Sequence, residues 1–418
     1  MLILVDENIP FARAAFGPLG EVRLVAGRAI TRDALLEADA LLVRSVTRVN
    51  ASLLEGSRVS FVGTATIGTD HIDLDYLRQA GIAFASAAGC NANSVAEYIV
   101  AALLHVAAQR QIVLEGLTLG IVGAGNVGSR VAEKARALGL NVLLNDPPLE
   151  TLLQSSPLDA IHPDIKQNLA RIASAQFGSL DELMKADILT LHTPLVRSGV
   201  FPTFHLFDES RLRMMKPGSI LLNTGRGEVV DHGALKKVLH SGLLSAAILD
   251  VWEHEPRIDP ELVALTTLAT PHIAGYSFDG KVKGTWLIYE ALCRFLQVEP
   301  SWNYAPLLPQ MAQPKIHLRE AHLPGPPQGG NRDVVATEKL LQEAVRHAYD
   351  IAADDQRLRA GILGEDRSME ERGKYFDKLR HDYPIRREFP NYRVRLEQED
   401  NNIRRRLRAL GFCLEPQN

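Results

Sequence analysis

The stretch that decides the fold reads Gly120-Ile121-Val122-Gly123-Ala124-Gly125-Asn126-Val127-Gly128. It predicts a buried strand that ends in Gly-x-Gly-x-x-Gly and is followed by a helix over Ser129–Leu138. In this pattern the first glycine makes a tight turn, the second lets a pyrophosphate approach the backbone, and the third lets helix and strand pack closely. The helix N-terminus then offers N–H groups and a positive dipole to phosphates. The stretch therefore predicts a dinucleotide-binding turn.

An acidic residue follows this turn at the expected distance. Asp146 comes just after the apolar run Val142–Leu144, and a ribose-binding carboxylate is expected about 20 residues beyond the glycines. A carboxylate at that point repels a 2′-phosphate, so we expect NAD rather than NADP. The predicted cofactor contacts here are Gly123, Gly125, Asn126, Val127, Gly128 and Asp146. Because the turn lies in the middle of the chain, we also expect a preceding domain that holds substrate.

Bulk composition limits the class of protein. The chain has 418 residues, of which 46% are hydrophobic and 23% charged, as in a globular protein of two or three domains. A net charge of −4 gives no electrostatic support for nucleic-acid binding. No signal peptide or membrane-spanning run is recognisable, and neither the cysteines nor the histidines have metal-ligand spacing. We therefore expect a cytoplasmic protein without a metal and without a membrane or nucleic-acid partner.

Apolar runs alternate with helical patterns on both sides of the turn, which predicts an α/β fold with parallel sheets. The predicted strands are Leu2–Val5, Glu21–Val25, Ala40–Val43, Val59–Val62, Thr118–Val122, Asn141–Leu144, Ile188–Leu191, Ser219–Asn223 and Ala246–Asp250. A capping box at Ser94–Glu97 predicts the start of a long helix that leads into the cofactor domain.

Less regular stretches receive weaker predictions. Glu150–Gln176 is polar and predicts an extra helix or a surface excursion, and Pro306–Gly330 is typical of a linker. Beyond the linker, Thr337–Ala352 has the apolar spacing of a helix, and the basic run Arg404–Arg408 indicates a solvated helix face.

Three polar segments lie at or just after the end of a predicted strand or apolar run, where ligands bind in open parallel sheets. The first carries Arg226, whose planar guanidinium suits a carboxylate or 2-keto acid. The third carries His272, which can move a hydroxyl proton while hydride leaves the same carbon. Glu255, in the second, would fix the imidazole tautomer if the two loops meet. Taken singly, His272 could be structural and Arg226 a surface ion-pair residue. Their occurrence together, after a dinucleotide turn, favours catalysis.

Other residues in these segments leave alternatives open. His254 competes with His272 but lies in an acidic, exposed loop. Asp250 either hydrogen-bonds the nicotinamide amide or caps a loop. Thr193 precedes a proline that favours an extended conformation and could line the cofactor cleft.

These motifs resemble the D-isomer-specific 2-hydroxyacid dehydrogenases. The resemblance covers roughly residues 1–300 and rests on the glycine turn, Thr224–Gly227, Asp250–Pro256 and Pro271–Gly275. It implies two flavodoxin- or Rossmann-like, doubly wound domains with the active site between them. It also implies that Arg226 binds substrate, Glu255 orients the histidine, and His272 is the acid/base.

Further motifs are similar to one branch of this family, which oxidises 4-phospho-D-erythronate at C2 to (R)-3-hydroxy-2-oxo-4-phosphooxybutanoate on the way to pyridoxal 5′-phosphate. They are Asp6–Pro10, Leu42–Thr47, Gly63–Asp73, Gly89–Asn93, Pro271–Ser277 and Asp382–Phe389. By motif position, this branch implies substrate contacts at Ser45, Thr66 and Tyr276, and NAD contacts at Asp146, Thr193, Asp250 and Gly275. It also gives the Arg44–Arg48 loop a phosphate to bind, with Arg44 as a contact.

The same resemblance implies a C-terminal α+β domain that joins two subunits in a homodimer. We expect a substrate domain over residues 1–93 and 271–296, an NAD domain over 94–270 and a dimerisation domain over 297–418. Glu150–Gln176 is longer than the branch leads us to expect, and Met311–Val335 has the character of an insertion.

Two other functions stay open at this stage. One is a phosphoglycerate or other D-2-hydroxyacid dehydrogenase, and the other is a non-catalytic, NAD-sensing protein of the corepressor type. The substrate set Ser45, Thr66 and Tyr276 and the tail Tyr383–Phe389 favour the phosphoerythronate enzyme.

Overall fold

The structure is a computed structural model that describes residues 1–308, 315–318, 332–364, 366–397 and 400–416. Two compact units make up the chain. The first comprises Met1–Ala92 and Tyr276–Met311, and the second comprises Asn93–Gly275 and Ala312–Asn418. Most of the expected linker Pro306–Gly330 and of the segment Met311–Val335 lies outside the described residues.

The strands form three parallel sheets. In chain order they are β1 Leu2–Asp6, β2 Glu21–Val25, β3 Ala40–Val43, β4 Phe61–Thr64, β5 Ala83–Ser86, β6 Thr118–Val122, β7 Asn141–Asn145, β8 Gln176–Phe177, β9 Ile188–Leu191, β10 Ile220–Asn223, β11 Ala246–Leu249, β12 Leu268–Ala269, β13 Lys315–Leu318, β14 Arg393–Leu396 and β15 Cys413–Leu414.

The helices alternate with the strands over most of the chain. They are α1 Ala12–Phe16, α2 Arg32–Leu35, α3 Ala51–Leu54, α4 Leu74–Gln79, α5 Ala92–Arg110, α6 Asn126–Ala137, α7 Pro147–Ser155, α8 Pro163–Ile172, α9 Leu180–Leu183, α10 Glu209–Met214, α11 His232–His240, α12 Pro260–Leu265, α13 Phe278–Leu296, α14 Arg332–Ala348, α15 Ile351–Ile362, α16 Met369–His381 and α17 Asn401–Leu410.

The first unit is built on a five-stranded sheet of order β2-β1-β3-β4-β5. This is the flavodoxin-like order, which places its topological switch point between β1 and β3. Helix α13 belongs to the second sequence stretch of this unit and packs on β4 and β5. Its Gly284 stands so close to Ala65 that a Cβ there would lie 3.0 Å from the Ala65 carbonyl oxygen.

The second unit has a seven-stranded sheet of order β12-β11-β10-β9-β6-β7-β8. Neighbouring strands in this sheet are parallel, so the carboxyl ends of the strands share one edge. Helix α5 is buried on nearly every face between Val95 and Ala107, which explains why its sequence there is almost wholly apolar.

The C-terminal part of the second unit contains the sheet β13-β14-β15 and helices α14–α17. Its apolar residues share one core with the dinucleotide-binding part, and Phe389 stacks on Phe412 with ring centroids 4.5 Å apart. The expected fold class, two doubly wound α/β sheets followed by a C-terminal α+β part, is confirmed. The expected division into three domains stays a prediction.

Three local predictions need correction or refinement. The capping box is wrong, because α5 begins at Ala92 and Ser94 lies inside it. The Ser94 hydroxyl donates to Glu388 at 2.7 Å, and a Glu97 carboxylate oxygen accepts from the Phe389 N–H at 2.9 Å. The C-terminal segment thus supplies the partners that a capping box would have supplied locally.

The polar segment Glu150–Gln176 does form extra helices, α7 and α8, and Asn168 accepts a hydrogen bond from Ser129 of α6 at 3.1 Å. The basic run is only partly solvated. Arg404 is buried and donates to the Glu415 carbonyl, just after β15, which packs against α17. Within the described ranges, no helix has both the length and the apolar composition needed to cross a membrane.

Candidate active site

The glycine turn has the geometry that its sequence predicts. Gly123 has φ 93°, and a Cβ on it would lie 2.9 Å from the His192 carbonyl oxygen. A Cβ on Gly128 would lie 1.9 Å from the Gly123 carbonyl oxygen, so β6 and α6 could not approach as they do. A Cβ on Gly125, in contrast, would meet no described atom within 4 Å. The first and third glycines are therefore required for packing, and the second borders open space.

The start of α6 and the end of β7 lie side by side. Gly125 occupies the N-cap of α6 and has no side chain with which to cap the first amides. Asp146 accepts a hydrogen bond from the Ala124 N–H at 2.8 Å with one oxygen and from the Leu149 N–H at 2.9 Å with the other. The carboxylate is thereby fixed beside the glycine turn while it also caps α7. Asn126 and Val127, the other expected contacts, are half-buried in the first turn of α6.

Thr193 follows β9 and carries an orphaned polar group. Its Oγ1 is buried and has no hydrogen-bond partner among the residues that the structure describes. Next to it, His192 contacts Thr190 at 3.0 Å and Thr224 at 3.2 Å, and burial lowers its pKa to about 3. His192 is thus a neutral structural residue. The open space at Gly125, the uncapped helix, the Asp146 carboxylate and the orphan hydroxyl of Thr193 together fit NAD.

The loop that carries Arg226 follows β10. The Asn223 amide accepts from the Gly225 N–H at 3.0 Å and donates to the Arg226 carbonyl at 2.8 Å, which closes a tight turn. Gly227 then passes so close to the next loop that a Cβ would lie 2.0 Å from the Trp252 carbonyl carbon. The Arg226 loop and the loop of Trp252 and Glu255 are therefore in direct contact.

His272 and Glu255, which sequence spacing alone could not bring together, form a hydrogen bond. His272 Nδ1 lies 2.8 Å from one Glu255 oxygen, and the other oxygen accepts from the Trp252 N–H at 2.9 Å. Burial alone would raise the pKa of Glu255, but the charge and hydrogen bond of His272 lower it. An ionised Glu255 accepts from Nδ1–H, so Nε2 is the nitrogen that can exchange a proton with substrate.

Its competitor His254 lies in the same loop as Glu255 but is exposed. The geometry therefore favours His272 as the member of the pair.

Asp250 is almost fully buried and holds the loop that carries His272. Its carboxylate accepts from the Thr270 hydroxyl at 2.7 Å, the Ile273 N–H at 2.8 Å and the Ala274 N–H at 2.9 Å. Burial raises its pKa against the lowering effect of His272 and of these donors. This arrangement favours the loop-holding alternative for Asp250. Gly275, which follows Ala274, is the last residue of the stretch Asn93–Gly275 of the second unit.

In the first unit, the predicted substrate residues follow neighbouring strands. Val43 of β3 pairs with Thr64 of β4, so Arg44 and Ser45 emerge beside Thr66 at the same sheet edge. Ser45 is exposed, and an Arg44 guanidinium nitrogen donates to the Asn8 carbonyl at 3.0 Å.

Two threonine hydroxyls of this edge are engaged within the unit. The Thr66 hydroxyl donates to the Gly68 carbonyl at 3.1 Å and accepts from the Thr64 hydroxyl at 2.8 Å, which leaves one lone pair able to accept. Thr47, also in the expected phosphate loop, is buried with its hydroxyl on the Gly27 carbonyl at 2.8 Å. Thr47 therefore anchors the loop rather than presenting an oxygen to solvent.

The structure adds Lys281, which the sequence analysis missed. It lies in the first turn of α13, and its Nζ stands 4.9 Å from the centre of the Tyr276 ring. Burial, and then the charge of Arg44, lower its pKa to about 8. The closeness of α13 to Ala65 brings Lys281 toward the edge where Arg44 and Thr66 lie. Its position five residues after Tyr276, at a helix start, was the available sequence signal.

In the part of the chain that the structure describes, no group of three histidine, cysteine or acidic side chains could hold a metal ion. The groups available for chemistry are thus the cofactor cleft, Arg226 and the Glu255–His272 pair in the second unit, and Arg44, Ser45, Thr66, Tyr276 and Lys281 in the first.

Comparisons with known proteins identify the family of the chain. Residues 104–274 match the D-isomer specific 2-hydroxyacid dehydrogenase NAD binding domain, and residues 331–411 match a domain of unknown function. The D-lactate dehydrogenase of Aquifex aeolicus, solved with NAD and lactic acid, is 26% identical with a TM-score of 0.54. The similarity covers 71% of the present chain and 96% of the Aquifex chain. The chain is an NAD-dependent dehydrogenase of the D-2-hydroxyacid class.

More similar relatives extend over nearly the whole chain. The erythronate-4-phosphate dehydrogenase of Marinobacter nauticus is 44% identical over 99% of this chain and 100% of its own length. That of Azotobacter vinelandii is 44% identical over 98% of this chain and 99% of its own length. The chain belongs to the erythronate-4-phosphate dehydrogenase family. The predicted family, enzyme class and cofactor are thereby confirmed.

Proposed function

We propose that this protein oxidises the C2 hydroxyl of 4-phospho-D-erythronate to (R)-3-hydroxy-2-oxo-4-phosphooxybutanoate. The observation that carries the proposal is the hydrogen bond between His272 Nδ1 and a Glu255 carboxylate oxygen, which are 2.8 Å apart. The loop that carries Glu255 is in contact with the Arg226 loop. An acid/base pair and a carboxylate-binding arginine are what the oxidation of a 2-hydroxy acid requires. Membership of the erythronate-4-phosphate dehydrogenase family supports the choice of substrate.

Arg226, His272 and Glu255 each have a separate task. Arg226 binds the substrate carboxylate through its planar guanidinium, which fixes C2 in position. His272 Nε2 accepts the proton of the C2 hydroxyl as the carbonyl forms. Glu255 holds Nδ1–H and stabilises the imidazolium that results. Bound NAD supplies the acceptor for the hydride that leaves C2.

The cofactor is held by the second unit. The amides around Gly123, Gly125 and Gly128 and the first turn of α6, with Asn126 and Val127, receive the pyrophosphate. Asp146 binds the adenosine ribose hydroxyls, since its carboxylate is fixed beside the turn. Thr193 and Gly275 line the nicotinamide end, while Asp250 holds the adjoining loop. The Thr193 hydroxyl, which has no hydrogen-bond partner among the described residues, is the group best suited to bind the nicotinamide.

The first unit recognises the rest of the substrate. Ser45, Thr66 and Tyr276 contact the hydroxy acid, and Arg44 binds the phosphate together with Lys281. Among the described residues, no carboxylate is paired with Arg44 or with Lys281. Two neighbouring cations of this kind are typical of a site for a dianion. The engaged Thr66 hydroxyl acts there as an acceptor.

The test is an assay of the purified protein with NAD and 4-phospho-D-erythronate, 3-phosphoglycerate or D-lactate. We expect NADH formation with 4-phospho-D-erythronate far above the other two. Turnover of only the last two substrates would assign another D-2-hydroxyacid dehydrogenase activity. Binding of NADH without turnover of any hydroxy acid would favour a non-catalytic NAD sensor.

The same proposal includes the setting of the enzyme. It acts in the cytoplasm, in the biosynthesis of pyridoxal 5′-phosphate, and works as a homodimer joined through the C-terminal part. The three scattered cysteines have no disulfide spacing, which supports a reducing compartment. Light scattering of the purified full chain tests the dimer, and a monomer at micromolar concentration would contradict it.

A further inference from the structure

The segment Tyr383–Phe389, here called the clasp, reaches back over almost three hundred residues of sequence. Glu388 accepts hydrogen bonds from the Asn93 amide at 2.6 Å and from the Ser94 hydroxyl at 2.7 Å. The Phe389 N–H donates to Glu97 at 2.9 Å. The clasp therefore binds the first turns of α5. A role of this segment in joining subunits would not explain these contacts.

Arg386 is the centre of the clasp. It is only 6% exposed, and one guanidinium nitrogen, Nη2, donates to the Ser94 carbonyl at 2.6 Å and to the Ala274 carbonyl at 3.2 Å. Its guanidinium carbon lies 4.1 Å from the centre of the Tyr349 ring, within the range of a cation–π contact. A single side chain thus bridges two backbone segments that are 180 residues apart.

Those two segments are the places where the chain passes between its units. The chain enters the second unit between Ala92 and Asn93 and leaves it between Gly275 and Tyr276. Ser94 and Ala274 lie directly on the second unit's side of these passages. Ala274 is also two residues after His272, so Arg386 holds the loop of the acid/base histidine at its far end.

The other end of that loop is held differently. Asp250 accepts from Thr270, and the Tyr98 and Thr270 hydroxyls lie 2.7 Å apart. Tyr98 belongs to α5, as does Ser94, so the loop is tied to α5 at both ends. The hydrogen bond from Arg386 to the Ala274 carbonyl holds the end of the loop nearer to Tyr276, where the first unit resumes.

Burial of this guanidinium is costly. Its Nε and Nη1 are buried and have no hydrogen-bond partner in the described ranges, and arginine stays charged in proteins. An unmet buried donor costs stability, and an apolar side chain of similar length would avoid that cost. The neighbouring Glu97 and Asp354 offset the desolvation of the cation, and the carbonyls of Ser94 and Ala274 are the hydrogen-bond partners of Nη2.

We propose that Arg386 is a positioning residue for the reaction, acting through the backbone of Ser94 and Ala274 to hold the His272 loop against the start of α5. The kinetic consequence rests on the proposed function. The structural consequence does not, because it concerns the backbone of the loop itself.

The test compares Arg386→Lys with Arg359→Lys in the full-length protein. Arg359 is a matched control, since it too donates to two carbonyls of the second unit, Val263 at 2.7 Å and Thr266 at 2.8 Å. A lysine at either position keeps the charge but cannot bridge two carbonyls with the geometry of a guanidinium. Arg386→Met, which removes the cation, serves as a second variant.

The first readout is amide hydrogen exchange followed by mass spectrometry, which needs no substrate. Arg386→Lys is expected to speed exchange about tenfold in peptides covering 93–97 and 272–276, and not in 262–267. Arg359→Lys is expected to show the reverse. The same pattern in both lysine variants, or no change at 272–276, would overturn the proposal. If Arg386→Met is as slow to exchange at 272–276 as the wild type, the proposal also fails.

The second readout is the division between kcat and NADH affinity. Arg386→Lys is expected to lower kcat for 4-phospho-D-erythronate about 10- to 100-fold, with unchanged NADH affinity, because a small misplacement of a catalytic group has effects of that size. Arg359→Lys is expected to keep the wild-type kcat. Wild-type protein that turns over no 4-phospho-D-erythronate would count against the proposed function, while the exchange experiment would still decide the role of Arg386.

Discussion

At the residue scale, the site separates groups that hold the backbone from groups that are left for chemistry. Asp250, Asn223 and Thr47 use their polar atoms to fix loops. His272 uses one ring nitrogen for Glu255 and keeps the other, and Thr193 keeps a buried hydroxyl without a partner in the described part of the chain. His272 and Thr193 are therefore the clearest cases of a proposed catalytic or binding residue with a polar atom left for a ligand.

Lys281 leads to a prediction about pH. Its pKa of about 8 means that it is cationic below pH 8 and loses its charge above it. The KM for 4-phospho-D-erythronate should therefore rise as the pH passes through 8, since the phosphate loses a cationic partner. Lys281→Met should raise KM at pH 7 and remove this pH dependence, with kcat little changed.

The control for Lys281 is the exposed lysine two residues further along α13. Lys283→Met removes the same charge from the same helix without touching the half-buried position. Measurement of initial rates from pH 6.5 to 9.5 checks both variants at once. A wild-type KM that stays constant across this range would contradict the assignment of Lys281 to the phosphate.

At the element scale, the decisive unit is β6, the glycine turn and α6. Gly123 and Gly128 are constrained by backbone atoms at 2.9 and 1.9 Å from a virtual Cβ, and Gly125 is not. The turn thus combines two packing glycines with one that borders the space for a ligand. Helix α7 is joined to it through Asp146, which caps α7 and contacts the turn.

Alanine substitutions should separate these two roles. Gly128→Ala is expected to destabilise the fold by about 1–3 kcal/mol, because the new methyl group overlaps the Gly123 carbonyl. Gly125→Ala is expected to leave the melting temperature near that of the wild type and to weaken NADH binding, since only the ligand would meet its methyl group. Thermal melts and NADH fluorescence titrations measure the two effects, and a reversed pattern would contradict the account.

Sequence reasoning succeeded where an element is decided locally. The glycine turn and strands such as β2, β3, β6 and β9 depend on their own residues, and they were predicted with the bounds that the structure has. Strands β8 and β12 have only two residues each, too few for a periodic pattern. Arg386 was recognised only as part of a motif, because its partners Ser94 and Ala274 are 292 and 112 residues away.

The candidate site shows the same division. Arg226, Glu255 and His272 could be singled out because each follows a predicted strand or apolar run and carries a chemically distinctive side chain. The contact between Glu255 and His272 could not be read from spacing, since it depends on how two loops fold over β11 and β12. Lys281 was missed because a lysine in the first turn of a helix has no distinctive pattern of its own.

At the scale of the whole molecule, the C-terminal part is continuous with the dinucleotide-binding part of the second unit. Phe389, Leu407 and Phe412 belong to the same core as Leu119 and Ile121 of β6. A shared core implies that the two parts unfold together rather than as separate domains. The clasp adds polar ties between the same two parts.

Phe412→Ala tests this continuity. Phe412 is buried and stacks on Phe389, so its truncation should cost about 3–5 kcal/mol. We expect calorimetry to show one lowered transition for the second unit, with NADH protecting the variant as it protects the wild type. A separate early transition that leaves NADH binding intact would indicate that the C-terminal part folds on its own.

The central claim is that His272 moves the proton in the oxidation of 4-phospho-D-erythronate. The most direct measurement is a single-turnover experiment with wild-type protein and His272→Gln, in which NADH absorbance is followed after mixing with NAD and substrate. We predict that the variant forms NADH about 10²- to 10⁴-fold more slowly while its NADH affinity stays unchanged, because the residue moves a proton and does not hold the cofactor. Near-normal NADH formation by His272→Gln would contradict the account.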